Sequence, residues 1–593
     1  MNKKLTTSLV ASLLIATSNL YSEELSQITV VSATKSEQSI KDVTSDVDVI
    51  TKEEIEERHF TNVSDALKTI SGVSIVSNGG VGQLDSLFVR GIDSKRILIL
   101  IDGIRYNEPA GLSGAPLAQL NIENIEQIEV VKGAQSGIWG ADASGGVINI
   151  ITSKAKAGFH GNIGMEAGSY NTKKLYGSVS NKNKLGYLKF DASRISTDGI
   201  SSYEPNGSKW KDLEYERDGY SNNTYNIAGG VYLNDSDELG LTFKKIGSEY
   251  DYDSSTKDRD DKLTKIKHYF KSANYIHKDD SYKLKLNAQQ SKFDRNQDNS
   301  IYKSLVNEFS VQGDYSYRKS DAIILGLDKQ NFENIDSKDK YNTQAIFVSN
   351  TNTFDKFIIN ETLRYDDNSK FDDKFTGKIG IKYNINNDMA VSSNYGTAYN
   401  APTLGNLNYT PSLSPETTKS FDFNFEYKDF KITYFENKIK DMIRYVPNSY
   451  PNTRYENLTG ESTFKGYEVS YIKNIFENIL LGFNYTHLSA KDNKGNDLPR
   501  RAKNEFNASV DYYGIKNTHI NLNSSYIGKR YDDAEKTKET GNYTIWNGVI
   551  NYEIKRNITT YVKVDNIFNK YYQTVYNYAT PGRSAYIGLK VSF

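Results

Sequence analysis

The sequence predicts an all-β transmembrane barrel of about 22 antiparallel strands behind a smaller N-terminal domain. Three observations lead there. Past the N-terminus no stretch is apolar and long enough to be a spanning helix, which excludes a helical membrane protein. A barrel stays open, because its strands show lipid only every second residue. The C-terminal part alternates in polarity residue by residue. Finally, at about 20 residues per strand and connection, the segment Lys154–Phe593 accommodates about 22 strands.

Taken in order, residues 1–22 read as a secretory signal. Lys3 and Lys4 supply the positive start and Ser8–Thr17 the short apolar core. Cleavage is expected near Ser22, with Leu20 an imperfect residue at −3. A leader at 23–43 follows, holding Gln27-Ile28-Thr29-Val30-Val31-Ser32-Ala33. β-Branched Ile28, Thr29, Val30 and Val31 suit an extended, flexible strand.

The next unit, 44–153, is punctuated by glycine. Short apolar strands such as Arg96–Ile101 and Gly146–Ile151 alternate with the turn dipeptides Gly79-Gly80, Arg90-Gly91, Asp102-Gly103, Lys132-Gly133 and Gly145-Gly146. Turns often need φ > 0, which glycine supplies without steric cost. A compact domain of short strands and loops is expected.

Alternation rules the remainder, 154–593. Ile587, Leu589, Val591 and Phe593 share one face; Tyr586, Gly588, Lys590 and Ser592 share the other. Trp546, Gly548, Ile550, Tyr552 and Ile554 repeat the pattern, as do Thr560, Val562 and Val564, and Phe506, Ala508, Val510 and Tyr512. In a soluble sheet the apolar face would be core; in a barrel it faces lipid. The polar stretches Tyr203–Asn223, Tyr250–Lys262 and Lys491–Pro499 are candidate extracellular loops.

Composition adds exclusions. A net charge of −1 gives no hint of a polyanionic partner such as nucleic acid. The 44 tyrosines suit interfacial girdles, although a soluble tyrosine-rich β-protein would share that composition. With no cysteine there is neither a disulfide framework nor thiol chemistry. The six histidines show no metal-ligand spacing, and no P-loop, GxSxG or HExxH pattern occurs, so no enzyme activity is expected.

VRG, LILIDG, IEVVKG, S-x-x-WG and GGVINIIT occur in succession between Val89 and Thr152. In that order they resemble the plug of TonB-dependent outer-membrane receptors. The resemblance implies an α+β plug inside the barrel lumen, a Gram-negative outer-membrane location among its lipids, a monomer, and energy drawn through TonB. The terminal Phe593 resembles the assembly signal of such barrels. The leader residues Ile28, Thr29, Val30, Val31 and Ser32 resemble the TonB box, a strand that the coupling protein captures by strand addition. Arg90, Asp102, Arg105, Glu129 and Lys132 sit beside the family's turns. They are expected to pair with the barrel wall, because an unpaired buried charge is costly.

Within the family the chain is most similar to the cobalamin transporters. Asn78–Leu84 and Asn107–Gly114 resemble their two apical loops, and Tyr395–Leu407, Leu413–Glu416, Arg500–Lys503 and Tyr572–Tyr578 resemble barrel segments. The substrate contacts then implied are Asn78, Gln83, Asn107 and Ser113, with Gly79, Gly80 and Gly82 allowing close approach. Calcium between early loops is also implied, at Glu216, Asp218, Asp251 and Asp253. Four carboxylates from two loops could supply much of its oxygen shell, although Ser201 stands where the family has an aspartate and Arg217 lies between two of the acids. The expected function is TonB-dependent uptake of a bulky, scarce nutrient, a corrinoid first. A ferric siderophore or haem receptor is the alternative in the same class, and a passive porin or an adhesin lies outside it.

Overall fold

A computed structural model of the protein describes residues 28–208, 215–318, 320–446 and 454–593. The signal segment 1–22 and the start of the leader lie outside them, as does part of the loop Tyr203–Asn223.

Twenty-two antiparallel strands form a closed barrel, from Gly158–Gly168 to Ser584–Ser592. The first and last strands pair directly, Asn162 with Ser592 through Gly168 with Tyr586, so the sheet has no free edge. Consecutive strands are neighbours throughout, as short hairpin connections dictate. The long connections, including 252–262, 401–415, 492–503 and 566–583, all lie at one end, which is the extracellular end of such a barrel.

Facing follows the alternation. Val562 is 47% exposed on the outside while its neighbours Tyr561 and Lys563 are buried inside. Ile550, Tyr552, Ile554, Phe506, Val510 and Ile587 likewise point outward, and Asn551 and Asp511 inward. Apolar residues exposed all around a barrel are not a soluble core; they are a surface made for lipid.

Inside sits the plug. Its main sheet has the order Val47–Thr51, Ile125–Lys132, Gly146–Thr152, Ile97–Ile101, Ile104–Arg105, with one parallel pairing between Gly146–Thr152 and Ile97–Ile101. A second sheet joins Val73–Ser77, Asp85–Val89 and Ile92–Asp93. The turn dipeptides work as expected. Arg90 and Gly91 have φ of 50° and 78°, Asp102 and Gly103 of 52° and 80°, the double positive φ of tight hairpins. Three short helices among the described residues complete the α+β unit, the third being Ser136–Trp139. Lys52–Arg58 starts where the Thr51 hydroxyl accepts from Glu54 N–H, and Val63–Leu67 where Asn62 accepts from Asp65 N–H. Ile50, Leu67, Leu87, Ile97, Ile128, Val130 and Ile148 are fully buried between them.

One expectation changes here. The leader is not a separate flexible strand. Its described part folds onto the plug: Thr29–Val30 pairs with Gln38–Ser39, and Val30, Ala33 and Val43 pack against Val47 and Val131. The β-branched residues that suit pairing with a partner also suit burial.

Candidate functional site

Cations of the plug meet anions of the wall. Arg90 donates from Nε to Glu468 at 2.9 Å and from a terminal nitrogen to Asp46. Lys132 Nζ lies 2.9 Å from Glu468 and 2.7 Å from Asp48, and wall residue Lys431 closes the network on Asp46. Burial alone would raise the Asp46 carboxyl, but Lys431, Lys132 and Arg90 hold it well below the carboxylate range. Arg105 joins Glu308 of the wall to Asp142 of the plug, each at 2.9 Å. These charges are consumed in seating the plug, as expected of Arg90, Arg105 and Lys132.

Asp102 and Glu129 depart from that expectation. Asp102 stays within the plug, accepting from Thr152 N–H and Oγ at 2.8 Å. Glu129, fully buried, turns to the leader and accepts from the backbone N–H of Val31 at 3.1 Å and of Ser32 at 2.8 Å. Trp139 Nε1 donates to the Ser32 carbonyl at 2.8 Å. Further along, Lys35 pairs with Asp328 of the wall at 3.0 Å. Among the implied box residues, Val30 and Ser32 are buried, Ile28 and Val31 half-buried and Thr29 exposed.

At the extracellular end the plug apex divides into two kinds of residue. Asn78 is half-buried, Ser113 is exposed, and Leu84 and Leu112 beside them are 41% and 38% exposed. Gln83 and Asn107 are buried. The Gln83 amide donates to the Asp251 carbonyl at 2.6 Å, locking the first apical loop to the barrel. Asn107 accepts from Ile99 N–H at 2.8 Å and donates to the Ile97 carbonyl at 2.9 Å, closing its own hairpin. Both side chains hydrogen-bond to the protein's own backbone. The loop glycines are also used differently from expectation. A Cβ on Gly82 would stand 2.1 Å from the Tyr220 ring, and one on Gly79 would stand 2.5 Å from Ser202 Oγ, so they admit the barrel's own loops. The second apical loop is tied to the wall by Leu404 N–H, which donates to the Pro109 carbonyl at 2.8 Å. Leu404 opens a short helix ending at Tyr409; Tyr409 and Tyr445 are about half exposed and both pack on Tyr455.

The acidic loops converge, with one exchange. Carboxylate oxygens of Glu216, Asp253 and Asp258 lie within 4.8 Å of one another. Asp218 lies beside them, accepting from Ser202 N–H at 2.5 Å and feeling the charge of Asp253. Asp251 stays outside the group, its backbone held at Gly219, because it ends a strand and does not enter the loop. Ser201 Oγ lies 3.2 Å from an Asp253 oxygen and 3.1 Å from an Asp258 oxygen, which compete with the Tyr203 carbonyl at 3.0 Å for its single proton. Burial, then the neighbouring Asp258 carboxyl, pushes Glu216 up to about 8; burial, then the charge of Asp253, pushes Asp218 up to about 7. A cation would relieve this crowding. Asp258 could have been found from sequence only by pairing every loop acid with every other, since nothing local marks it.

A plug domain filling a 22-stranded barrel is the arrangement that the comparisons match. The family described as TonB dependent receptor-like, beta-barrel, matches residues 166–567, and the TonB-dependent Receptor Plug Domain matches 39–147. The chain belongs to the TonB-dependent receptors. Members of this family are Gram-negative outer-membrane transporters that work with TonB, and so is this one. It is 26% identical to the vitamin B12 transporter BtuB of Photobacterium profundum, over 95% of each chain. It is 28% identical to the vitamin B12 transporter BtuB of Vibrio cholerae serotype O1, over 98% of each. Among solved structures, the siderophore receptor PirA from Acinetobacter baumannii aligns with a TM-score of 0.79 at 18% identity, over 92% of this chain and 98% of that one. The ferric enterobactin receptor PfeA from Pseudomonas aeruginosa aligns with 0.79 at 17%, over 93% and 99%. At such identity the structural likeness speaks for the receptor fold alone.

Proposed function

We propose that this receptor takes up a corrinoid of the cobalamin class. The observation that carries the reading is the near-full-length similarity to two vitamin B12 transporters. The apex supports it. Asn78 and Ser113 offer polar groups, while Leu84 and Leu112 offer apolar surface, a mixture suited to a large amphipathic ligand.

Ile28–Ser32 acts as the TonB box in this reading. Its docked strand must leave Glu129 before TonB can add a strand to it, which keeps the empty receptor from engaging the coupling protein. Glu216, Asp218, Asp253 and Asp258 hold calcium and so order the loops above the apex, with Ser201 supplying a hydroxyl in place of an acid. No step requires covalent chemistry.

Binding titrations of the purified receptor with cyanocobalamin and with a panel of iron chelates test the substrate. Saturable binding of cyanocobalamin alone is expected. Binding of an iron chelate with no binding of the corrinoid would transfer the protein to the siderophore branch.

A further inference from the structure

The outer face of four adjacent strands changes character within two rows. The strands are Asp237–Asp251, Leu263–Lys278, Tyr282–Gln297 and Ser300–Arg318. Read across by register, one row is Leu241, Ala273, Ala288 and Phe309, wholly apolar. The row above, toward the extracellular end, is Phe243, Lys271, Gln290 and Asn307. The next is Lys245, Tyr269, Lys292 and Leu305. Above that, Lys267 stands beside Gly247.

Four lysines therefore surround Tyr269 on one face. Lys245 and Lys292 flank it on the neighbouring strands, and Lys267 and Lys271 lie two residues away on its own strand. Directly opposed residues are about 5 Å apart and successive same-face residues about 7 Å. None of the four forms an ion pair among the described residues. Of the nearby acids, Glu249 is taken by Lys265 at 3.2 Å, and Asp294 stands between Lys303 on one neighbouring strand and, by the running register, Lys267 on the other, so one acid offsets part of the charge of the four lysines. Like charges so placed repel, and the low-dielectric layer beneath them screens poorly.

We propose that these lysines bind the phosphate of a phosphorylated lipid in the outer leaflet. The charge is complementary, and the position fits. The cluster begins where the lipid-facing apolar band ends, at the height of headgroups, so that acyl chains would run down over Leu241, Leu286, Phe309 and Val311, all exposed. Tyr269, with Lys245 lying 5.9 Å over its ring, presents a hydroxyl among the four ammonium groups.

The test uses the full receptor in uncharged maltoside micelles and, as probe, a glucosamine-disaccharide bisphosphate lipid (lipid A), with binding followed at equilibrium. The variant Lys245→Gln/Lys267→Gln/Lys271→Gln/Lys292→Gln is compared with Lys419→Gln/Lys438→Gln, a pair elsewhere on the barrel rim. Migration of unboiled samples as folded barrel controls for assembly. The fourfold variant should bind roughly tenfold or more weakly and the rim pair within about twofold of wild type. Dephosphorylated lipid should bind wild type no better than the bisphosphate binds the fourfold variant, and added salt should weaken the interaction. Equal binding by the fourfold variant would overturn the proposal, as would equal binding of the dephosphorylated lipid. So would complete displacement by equimolar inorganic pyrophosphate, which would make this a site for free anions.

Discussion

The Glu129 carboxylate lies under the leader and accepts from the backbone N–H groups of Val31 and Ser32, at 3.1 and 2.8 Å. It also takes the Gln127 amide of its own plug strand at 2.6 Å, so this fully buried carboxylate is satisfied partly by the plug and partly by the leader, which in the proposed reading later departs. Hydrogen bonds to a charged group are worth about 1.5–3 kcal/mol. In the proposed reading these bonds act as a latch on the leader.

Glu129→Gln should loosen the latch. A spin label at Thr29→Cys should show a larger mobile fraction in the Gln variant than in the Glu129 background, without ligand. Corrinoid binding should be unchanged, since Glu129 lies in the plug strand beneath the leader and outside both apical loops. An equally immobile label in both would remove Glu129 as the latch.

Val30→Pro should abolish uptake and leave surface binding intact. Proline removes a backbone donor and cannot sustain strand pairing. Val30 pairs with Gln38 and is 1% exposed, so the change also undocks the leader. Transport at the wild-type rate would refute the box assignment.

The apex residues should separate by role. Asn78→Ala/Ser113→Ala should weaken corrinoid binding by about 1–3 kcal/mol if each loses a hydrogen bond that the ligand buries. Asn107→Ala should instead lower thermal stability, because it strands Ile99 N–H and the Ile97 carbonyl in the plug interior. Titration and melting curves of the two variants distinguish these outcomes.

Calcium should tighten substrate binding by ordering the acidic loops before the ligand arrives. EGTA should raise the substrate dissociation constant of wild type and leave Asp253→Asn/Asp258→Asn unaffected. Ser201→Asp should strengthen calcium binding, since its side chain lies between two of the acids. The pH dependence has a definite sign. Glu216 and Asp218 are raised to about 8 and about 7 and must lose their protons to bind the ion, so calcium affinity should climb as pH rises through that range. Calorimetry at pH 6 and pH 8.5 would show it.

Local rules carried far in this sequence. Alternation is written in consecutive residues, so that Val562 and Lys563 take opposite faces needs no knowledge of the rest of the chain, whereas which of them points outward follows from the closed barrel. The Arg90-Gly91 and Asp102-Gly103 turns are equally local, because positive φ is a property of the residue itself. Family motifs then pointed to the plug and its compartment.

Only the tertiary structure decided what each polar side chain touches. Glu129 and Val31 are 98 positions apart and Gln83 and Asp251 168, and no periodicity links residues across such spans. Asn107 reads as an apical contact by position yet is spent on its own hairpin, and Asp258 displaces Asp251 from the acidic cluster because one lies in a loop and the other ends a strand. Strands and turns follow from steric preferences that each residue carries with it. Site membership follows from burial and from unsatisfied hydrogen-bonding groups, which exist only once plug and barrel are packed together.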